Sequence, residues 1–411
     1  MTSIAEPVHS VAPVELVEHA PAVRRALPDP VGRALADAGI VEATRDPYSP
    51  GHWSLRAGSK VGAVTVTVPG GAPLTVRVTP KVPVVRLFFL MGYSLDRKGS
   101  WRDGEVEVAE HRDLVPALAH AVERQIERSL RRGLLQGYRA TEATALVVRG
   151  RLREAEQIRR RFGATLPVEV AYDEFTTDIA ENRILRTAVE RLLRLPGVPH
   201  EVRRRLLHQR GRLADVTAIV RGQPIPDWQP TRLNARYHHA LRLAHAVLDG
   251  FSAEHAPGGL RVDGFLFDMN KLFEDFVTVA LRDACHGTGH SARLQDPHHL
   301  DEAAAIRMRP DFVLYGPDGV PCAVVDAKYK AEKRDGYPGD DLYQMLAYCT
   351  ALGLREGHLV YAKGNAAHAA HTVRHARVVI HQHALDLDQE PAGVLTDIER
   401  IARRLVNTPR V

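Results

Sequence analysis

The chain has 411 residues, 45% hydrophobic and 26% charged, a balance that excludes both a disordered polymer and a membrane-embedded protein. Its longest apolar run, around Val82–Met91, is broken by Pro83 and Arg86 and is too short to span a bilayer. The net charge of +5, from 55 basic and 50 acidic side chains, is too mild to name a partner by itself. No charged region followed by a long apolar stretch marks a secretory signal. Cys285, Cys322 and Cys349 lie far apart without metal-ligand spacing, and read as reduced core residues of a cytoplasmic protein.

This length predicts a multidomain α+β protein of two or three folding units. Residues 1–34, rich in Ala, Pro and Val without periodicity, predict a flexible or loosely docked arm. Residues 35–105 read as a small β-rich region. Val61–Val68 and Leu74–Pro80 alternate on either side of Pro69-Gly70-Gly71, a hairpin pattern, and Leu87–Tyr93 begins a short helix. Residues 106–255 read as mainly helical. Leu118, Ala121, Ile126 and Leu130 carry one apolar stripe, and a β-like interlude follows at Ala145–Val148. Glu181–Leu195 is an amphipathic helix with Ile184, Leu185, Ala188, Val189 and Leu192 inward. The acids of Asp173–Asp178 stand ahead of that helix, where capping and dipole complementation explain them. Arginines concentrate at 124–132, 149–161 and 203–212, either as solvated helix faces or as a phosphate-contacting or subunit-contacting surface. Arg159, Arg160 and Arg161 have the least local compensation.

Residues 256–411 carry the chemistry. In Gly264–Val277, Asp268 is a candidate N-cap, with Leu272, Phe273, Phe276 and Val277 facing a core and Asn270 and Glu274 paired four apart. Phe312–Tyr315 and Ala323–Lys330 flank Gly316-Pro317-Asp318-Gly319, a turn-forming set, and so predict a β-hairpin. Asp311 opens the first strand and Asp326 closes the second, so an antiparallel pairing brings them together. Lys328 projects from the same side as Asp326, because side chains alternate with period two. Two aspartates supply hard oxygen ligands suited to Mg²⁺, with the carbonyl of Ala327 as an additional ligand, and a lysine beside them can orient or deprotonate a water against a phosphate. The bland reading, an exposed hairpin with an Asp–Lys ion pair, leaves the acids at the rim of an apolar hairpin unexplained. Asp340–Cys349 has helical spacing, placing Gln344 and Tyr348 four apart on one side. His358–Ala362 and His371–His381 read as strands and Gly393–Val406 as a terminal helix. This gives a sheet with helices on both faces. The histidines of 286–299 and 368–383 lack ligand geometry and read as surface or packing residues.

Pro310-Asp311, Asp326-Ala-Lys328 and the Gln344/Tyr348 pair together resemble the PD-(D/E)XK nuclease superfamily. More narrowly, the segments at 265–274, 309–311, 326–330 and 341–348 resemble the McrC family, nuclease subunits of McrBC modification-dependent restriction systems, as does Glu181–Leu185. The resemblance implies a PD-(D/E)XK nuclease domain over 256–411, with Asp311, Asp326, Lys328, Gln344 and Tyr348 as its catalytic set. Glu274 stands where many members carry a helical acid on the metal. It also implies that the amino-terminal region, within 35–105, contacts a motor ring. The expected partners are double-stranded DNA and a McrB-like AAA+ GTPase ring, with no membrane. The chain has no Gly-x-x-x-x-Gly-Lys-Ser/Thr loop, so GTP is expected on the partner alone. The function expected is Mg²⁺-dependent cleavage of modified DNA together with stimulation of the motor. Two alternatives stand beside it: a repair nuclease of the same superfamily working with a helicase, and a non-catalytic activator of a ring NTPase.

Overall fold

A computed structural model describes residues 12–69, 72–94, 113–162, 164–250, 255–256, 260–331, 339–363 and 368–407. The chain forms two compact units, one from residues 1–114 and 252–411 and one from 115–251. The first opens with β1 (Val14–Val17), β2 (Val23–Ala26), α1 (Asp29–Asp37), β3 (Glu42–Arg45), β4 (His52–Arg56), β5 (Lys60–Thr67), β6 (Leu74–Thr79) and α2 (Val84–Ser94). Then come α3 (Leu114–Leu130), β7 (Gly137–Ala145), β8 (Arg151–Leu152), α4 (Glu154–Arg161), β9 (Val168–Thr176), α5 (Ala180–Arg194), α6 (His200–Arg212) and α7 (His238–Gly250). The first unit resumes at β10 (His255–Ala256), β11 (Leu260–Asp268), α8 (Met269–Ala284), β12 (Ser291–Leu294), β13 (His298–His299), β14 (Arg307–Met308), β15 (Phe312–Tyr315) and β16 (Pro321–Ala331). It closes with α9 (Gly339–Leu352), β17 (Glu356–Lys363), β18 (His368–Thr372), β19 (Val379–Ala384) and α10 (Pro391–Val406). The organisation is therefore mixed α/β.

In the first unit, β5 and β6 form the expected hairpin, with Val66 opposite Leu74. Five of the eight residues of β5 are buried, because it lies between β6 and β11 in the order β1-β6-β5-β11-β10. Strand β11 thus joins the early strands to the later ones, and the regions expected separately at 35–105 and 256–411 share a sheet. Two glycines permit that pairing. A Cβ on Gly264 would lie 2.2 Å from Val64 Cγ1, and one on Gly62, at φ +138°, would lie 2.1 Å from the Phe265 carbonyl oxygen. The expected arm is ordered within the described residues. Val14 and Leu16 bury as β1 pairs with β6, β2 joins the sheet β2-β4-β3, and α1 begins at Asp29. Four-residue strands in an Ala- and Pro-rich stretch are too short to give a periodic signal. Residues 1–11 of the arm lie outside the described set. Helix α2 packs the apolar run around Leu87 and Phe88 inward, and Phe89 meets Phe276 of α8 edge-on at 5.4 Å.

The second sheet of this unit runs β12-β15-β16-β17-β19-β18. Strands β15 and β16 are antiparallel, while β16, β17 and β19 are parallel. Strand parity separates its faces. Val324, Leu359, Tyr361 and Ile380 pack with Met345, Tyr348 and Cys349 of α9. Gly357 lets α9 sit close, since a Cβ there would lie 2.5 Å from Cys349 Sγ. On the opposite face, Tyr329 meets Phe273 of α8 at 5.9 Å and Arg404 of α10 reaches His368 at 2.9 Å. The segment read as one strand over 371–381 is instead the hairpin of β18 and β19. His375 and Arg377 take left-handed φ values, and Val373 N–H donates to the Val378 carbonyl at 2.8 Å.

The second unit centres on α3, α5, α6 and α7, whose Leu118, Ile126, Ile184, Val189, Leu206 and Leu241 are fully buried. The expected interlude at 145–148 is displaced: the strand is β7, and Leu146, Val147 and Val148 follow it exposed. The Glu181–Leu185 segment works structurally. Asn182 Nδ2 donates to the Leu135 and Thr177 carbonyls, and Glu181 accepts from Asn234. Asp178 does not cap α5, whose N-cap is Ile179 without a side-chain bond. Its carboxylate accepts from Arg183, Arg139 and both Thr217 donors, and these bonds, Arg183 first, hold its pKa far below the usual range. The arginines read as having the least local compensation are paired: Arg159 and Arg160 with Glu156, and Arg161 with Glu169.

Candidate active site

The ladder of β15 and β16 sets Phe312 against Val325, so the next pair outward is Asp311 and Asp326. Both are buried, at 7% and 2% exposure. Ala327 N–H donates to Asp311 Oδ2 at 2.9 Å, and Gln295 Nε2 donates to Oδ1 at 2.7 Å. Lys328 Nζ lies 2.5 Å from Asp326 Oδ2, as the period-two reading requires. Burial raises the Asp326 pKa well above a normal carboxyl, and the Asp311 charge raises it further. Burial opposes the Lys328 ammonium, but Asp326, Asp311 and Asp341 outweigh it and raise its pKa.

Glu274 arrives from α8. Its pKa is pushed up to about 7, first by burial and then by the Asp311 charge, with Asp326 adding to the repulsion and Lys328 opposing it. It is therefore held among the site's charges. The expected partner Asn270 turns away, donating to Ser59 Oγ at 3.0 Å, while Asp268 caps α8 by accepting from Asn270 N–H at 3.0 Å. Tyr348 projects from α9 toward the same cluster. Its hydroxyl is pushed up to about 12 by burial, with Asp326 and Asp311 contributing. Gln344 reaches it at 2.8 Å. Tyr361 donates to Asp341 at 3.1 Å, bracing the start of α9 against β17. Thus Asp311, Asp326, Lys328, Glu274 and Tyr348 converge, and Gln344 attaches through Tyr348.

Two features escaped the sequence reading. Gln295 follows β12, and only the pairing of Leu294 with Phe312 brings it to Asp311, so no local motif could have marked it. The histidines of β17, β18 and β19 form a network rather than scattered packing residues. His358 Nδ1 lies 3.1 Å from His383 Nε2, His368 Nε2 lies 3.3 Å from His381 Nδ1, and Glu356 meets His381 at 3.2 Å. Arg404 occupies the His368 nitrogen, and burial drives the His358 and His383 pKa values down. These are neutral imidazoles bonded to one another on the sheet face away from Asp326. Among the described residues no group of three His, Cys, Asp or Glu side chains closes to metal-holding distance, and no helix is long and apolar enough to cross a membrane.

The chain matches known proteins over most of its length. The family described as "McrBC 5-methylcytosine restriction system component" matches residues 55–362. A chain from the tetradecameric assembly of Thermococcus gammatolerans McrB AAA+ hexamers with bound McrC has TM-score 0.56 and 17% identity. That match covers 96% of this chain and 100% of the other, and it shows a shared fold. A chain of the Thermococcus gammatolerans McrBC complex has TM-score 0.37 and 20% identity, covering 66% of this chain and 88% of that one. No curated protein matches. The family match takes in Asp311, Asp326, Lys328 and the helix that bears Tyr348, in agreement with the motif-level resemblance. The chain belongs to the McrBC 5-methylcytosine restriction system component family.

Proposed function

We propose that this chain is the DNA-cleaving, McrC-type subunit of a McrBC-like restriction system, with a PD-(D/E)XK nuclease site and a dependence on Mg²⁺. The observation that carries the reading is the buried Asp311–Asp326 pair with Lys328 Nζ 2.5 Å from Asp326. Glu274, Asp311 and Asp326 outnumber the single Lys328 cation. Burial first, and then repulsion among these acids, raises Glu274 and Asp326, and a divalent ion would relieve the repulsion. The donors are hard oxygens, which suit Mg²⁺, an ion that keeps several waters. Asp311, Asp326 and the Ala327 carbonyl would hold it, with Glu274 as an outlying acid. When bound, the ion supplies charge neutralisation at the cleaved phosphodiester.

Lys328, held in its charged form by the acids around it, serves as a donor and not as the base. It orients the attacking water and offsets charge on the phosphorus oxygens as the transition state forms. Water oxygen bonds to phosphorus as its proton passes to bulk solvent, the bond from phosphorus to a sugar oxygen breaks, and that oxygen takes a proton from solvent, so that a phosphomonoester and an alcohol result. Tyr348, supported by Gln344, donates toward the same oxygens.

The expected partner is a McrB-like AAA+ GTPase ring that binds GTP and acts on DNA, as the solved relative's McrB hexamers with bound McrC suggest. The second unit supports docking: Leu146, Val147, Val148, Ile158 and Phe162 are exposed, Phe162 at 94%, and Tyr138 and Phe175 pair their exposed rings at 5.1 Å. Exposed apolar groups in such numbers mark interaction surfaces. The test is cleavage of modified and unmodified duplex by the chain, its AAA+ GTPase, Mg²⁺ and GTP. Asp326→Ala is expected to abolish cutting of modified DNA while GTP hydrolysis persists. Stimulated GTP hydrolysis with no cutting by either form would instead make the chain an activator with a vestigial site.

A further inference from the structure

Among the described residues, Gln295 is the one side chain, apart from the site residues already named, that grips the Asp311 carboxylate. It stands immediately after β12, whose last ladder pair is Leu294 with Phe312. Its backbone is fixed on both sides of Asp311. The Gln295 N–H donates to the Asp311 carbonyl at 3.0 Å, and its own carbonyl accepts from Arg309 Nε at 3.0 Å. Its φ is +51°, a left-handed conformation that glycine, asparagine and aspartate take readily and a longer side chain resists. A turn alone would be better served by glycine. What glutamine adds is an amide long enough to reach Asp311 Oδ1 at 2.7 Å.

That bond completes a frame. Ala327 N–H holds Oδ2 at 2.9 Å while Gln295 holds Oδ1, so the plane of the Asp311 carboxylate is set by two donors, one on β16 and one just past the end of β12. Each oxygen retains a second acceptor direction. The carboxylate is therefore oriented before any cation arrives. Residues that orient a ligand in this way carry much of a site's metal affinity.

We infer that Gln295 is a positioning residue that aims the Asp311 carboxylate at a divalent cation. The inference rests on the reading of Asp311 and Asp326 as a metal pair. A residue strained in its backbone and bonded to a site carboxylate fits the expectation that local strain collects at functional positions.

Two variants separate the roles of backbone and side chain. Gln295→Gly removes the amide and relieves the left-handed strain. Gln295→Met keeps length and strain but loses the donor. The full-length chain, free of metal, is titrated with Mg²⁺ by calorimetry, and its thermal midpoint is measured with and without Mg²⁺. Both variants are expected to bind Mg²⁺ about tenfold more weakly, with Gln295→Gly unfolding in EDTA no lower than the parent. A Gln295→Gly protein that melts lower in EDTA but binds Mg²⁺ at parental affinity overturns the inference and leaves a turn-stabilising residue. Asp326→Ala is run in parallel. If it abolishes Mg²⁺ binding while both Gln295 variants keep it, the positioning role alone fails. If it leaves Mg²⁺ binding intact, the metal-pair reading itself fails.

Discussion

Replacing Glu274 with glutamine tests whether the site is electrostatically strained without metal. The carboxyl is raised from 4.5 to about 7, so the folded protein favours its protonated form. Stability attached to the proton is present at low pH and is lost as pH rises through about 7. Above that, the ionised group costs the folded state about 3 kcal/mol before screening. Glu274 is only half-buried, so about half of that, roughly 1–2 kcal/mol, survives solvent screening. Glutamine preserves the shape and resembles the protonated acid. In EDTA at pH 8, Glu274→Gln is therefore expected to raise the melting midpoint of the first unit by about 3 °C. At pH 5.5, where the parent carboxyl is mostly protonated when folded, the gain should fall to less than half. With saturating Mg²⁺ at pH 8 the order should reverse, because the variant lacks an acid near the cation. Equal destabilisation of the variant at pH 8 and pH 5.5 in EDTA would refute the reasoning, since it would mean that the ionised carboxylate is welcome where it stands.

The imidazole network predicts the opposite pH response. His358 and His383, the latter lowered to about 3 by burial and by His368 and His381, are neutral when folded, and Arg400, Arg404 and Glu356 face the same network. Stability should drop as pH falls below the unfolded value near 6.5, by about 1 kcal/mol per pH unit for each fully buried ring, and His383→Gln should flatten that slope in denaturant titrations between pH 7 and 5. A slope unchanged in the variant would mean that His383 is not the titrating group. Lys328→Met should lower cleavage in the reconstituted system by about 10²–10³-fold while Mg²⁺ binding stays equal or tightens, because a competing positive charge has gone. Weaker Mg²⁺ binding in that variant would show that the lysine organises the carboxylates instead of acting on the phosphate.

Much of the site was legible because its parts are close in sequence. A turn between two apolar runs places Asp311 opposite Asp326, and alternation places Lys328 beside it; both are local rules. The helix carrying Gln344 and Tyr348 declared its own faces for the same reason. What stayed hidden depends on distant pairing. Gln295 reaches Asp311 through a strand register, and the histidines of β17, β18 and β19 meet only because parallel and antiparallel neighbours stack their rings. Glu274 was visible as a helix acid, but its neighbourhood was not, and the pairing with Asn270 inferred from spacing gives way to the Asn270–Ser59 bond. The early strands β1 and β2 were missed because four residues carry too little pattern, and their burial comes from partners elsewhere in the chain.

The pairing of β5 with β11 imposes an order on the making of the protein. Lys60 waits for Asp268, which leaves the ribosome roughly 200 residues later, on the order of ten to forty seconds at ordinary elongation rates. During that interval the apolar edge of β5 stands open, an invitation to chaperones or to the same strand of a neighbouring nascent chain. The segment 115–251, a compact unit in its own right, is free to fold meanwhile. The carboxylate pair comes last, since Asp311 and Asp326 emerge only after the early sheet has found its missing strand. Stalled synthesis therefore yields a protein with a finished middle unit and no carboxylate pair. For a chain whose proposed chemistry is breaking DNA, late assembly of the destructive part is a safeguard written into the order of its strands.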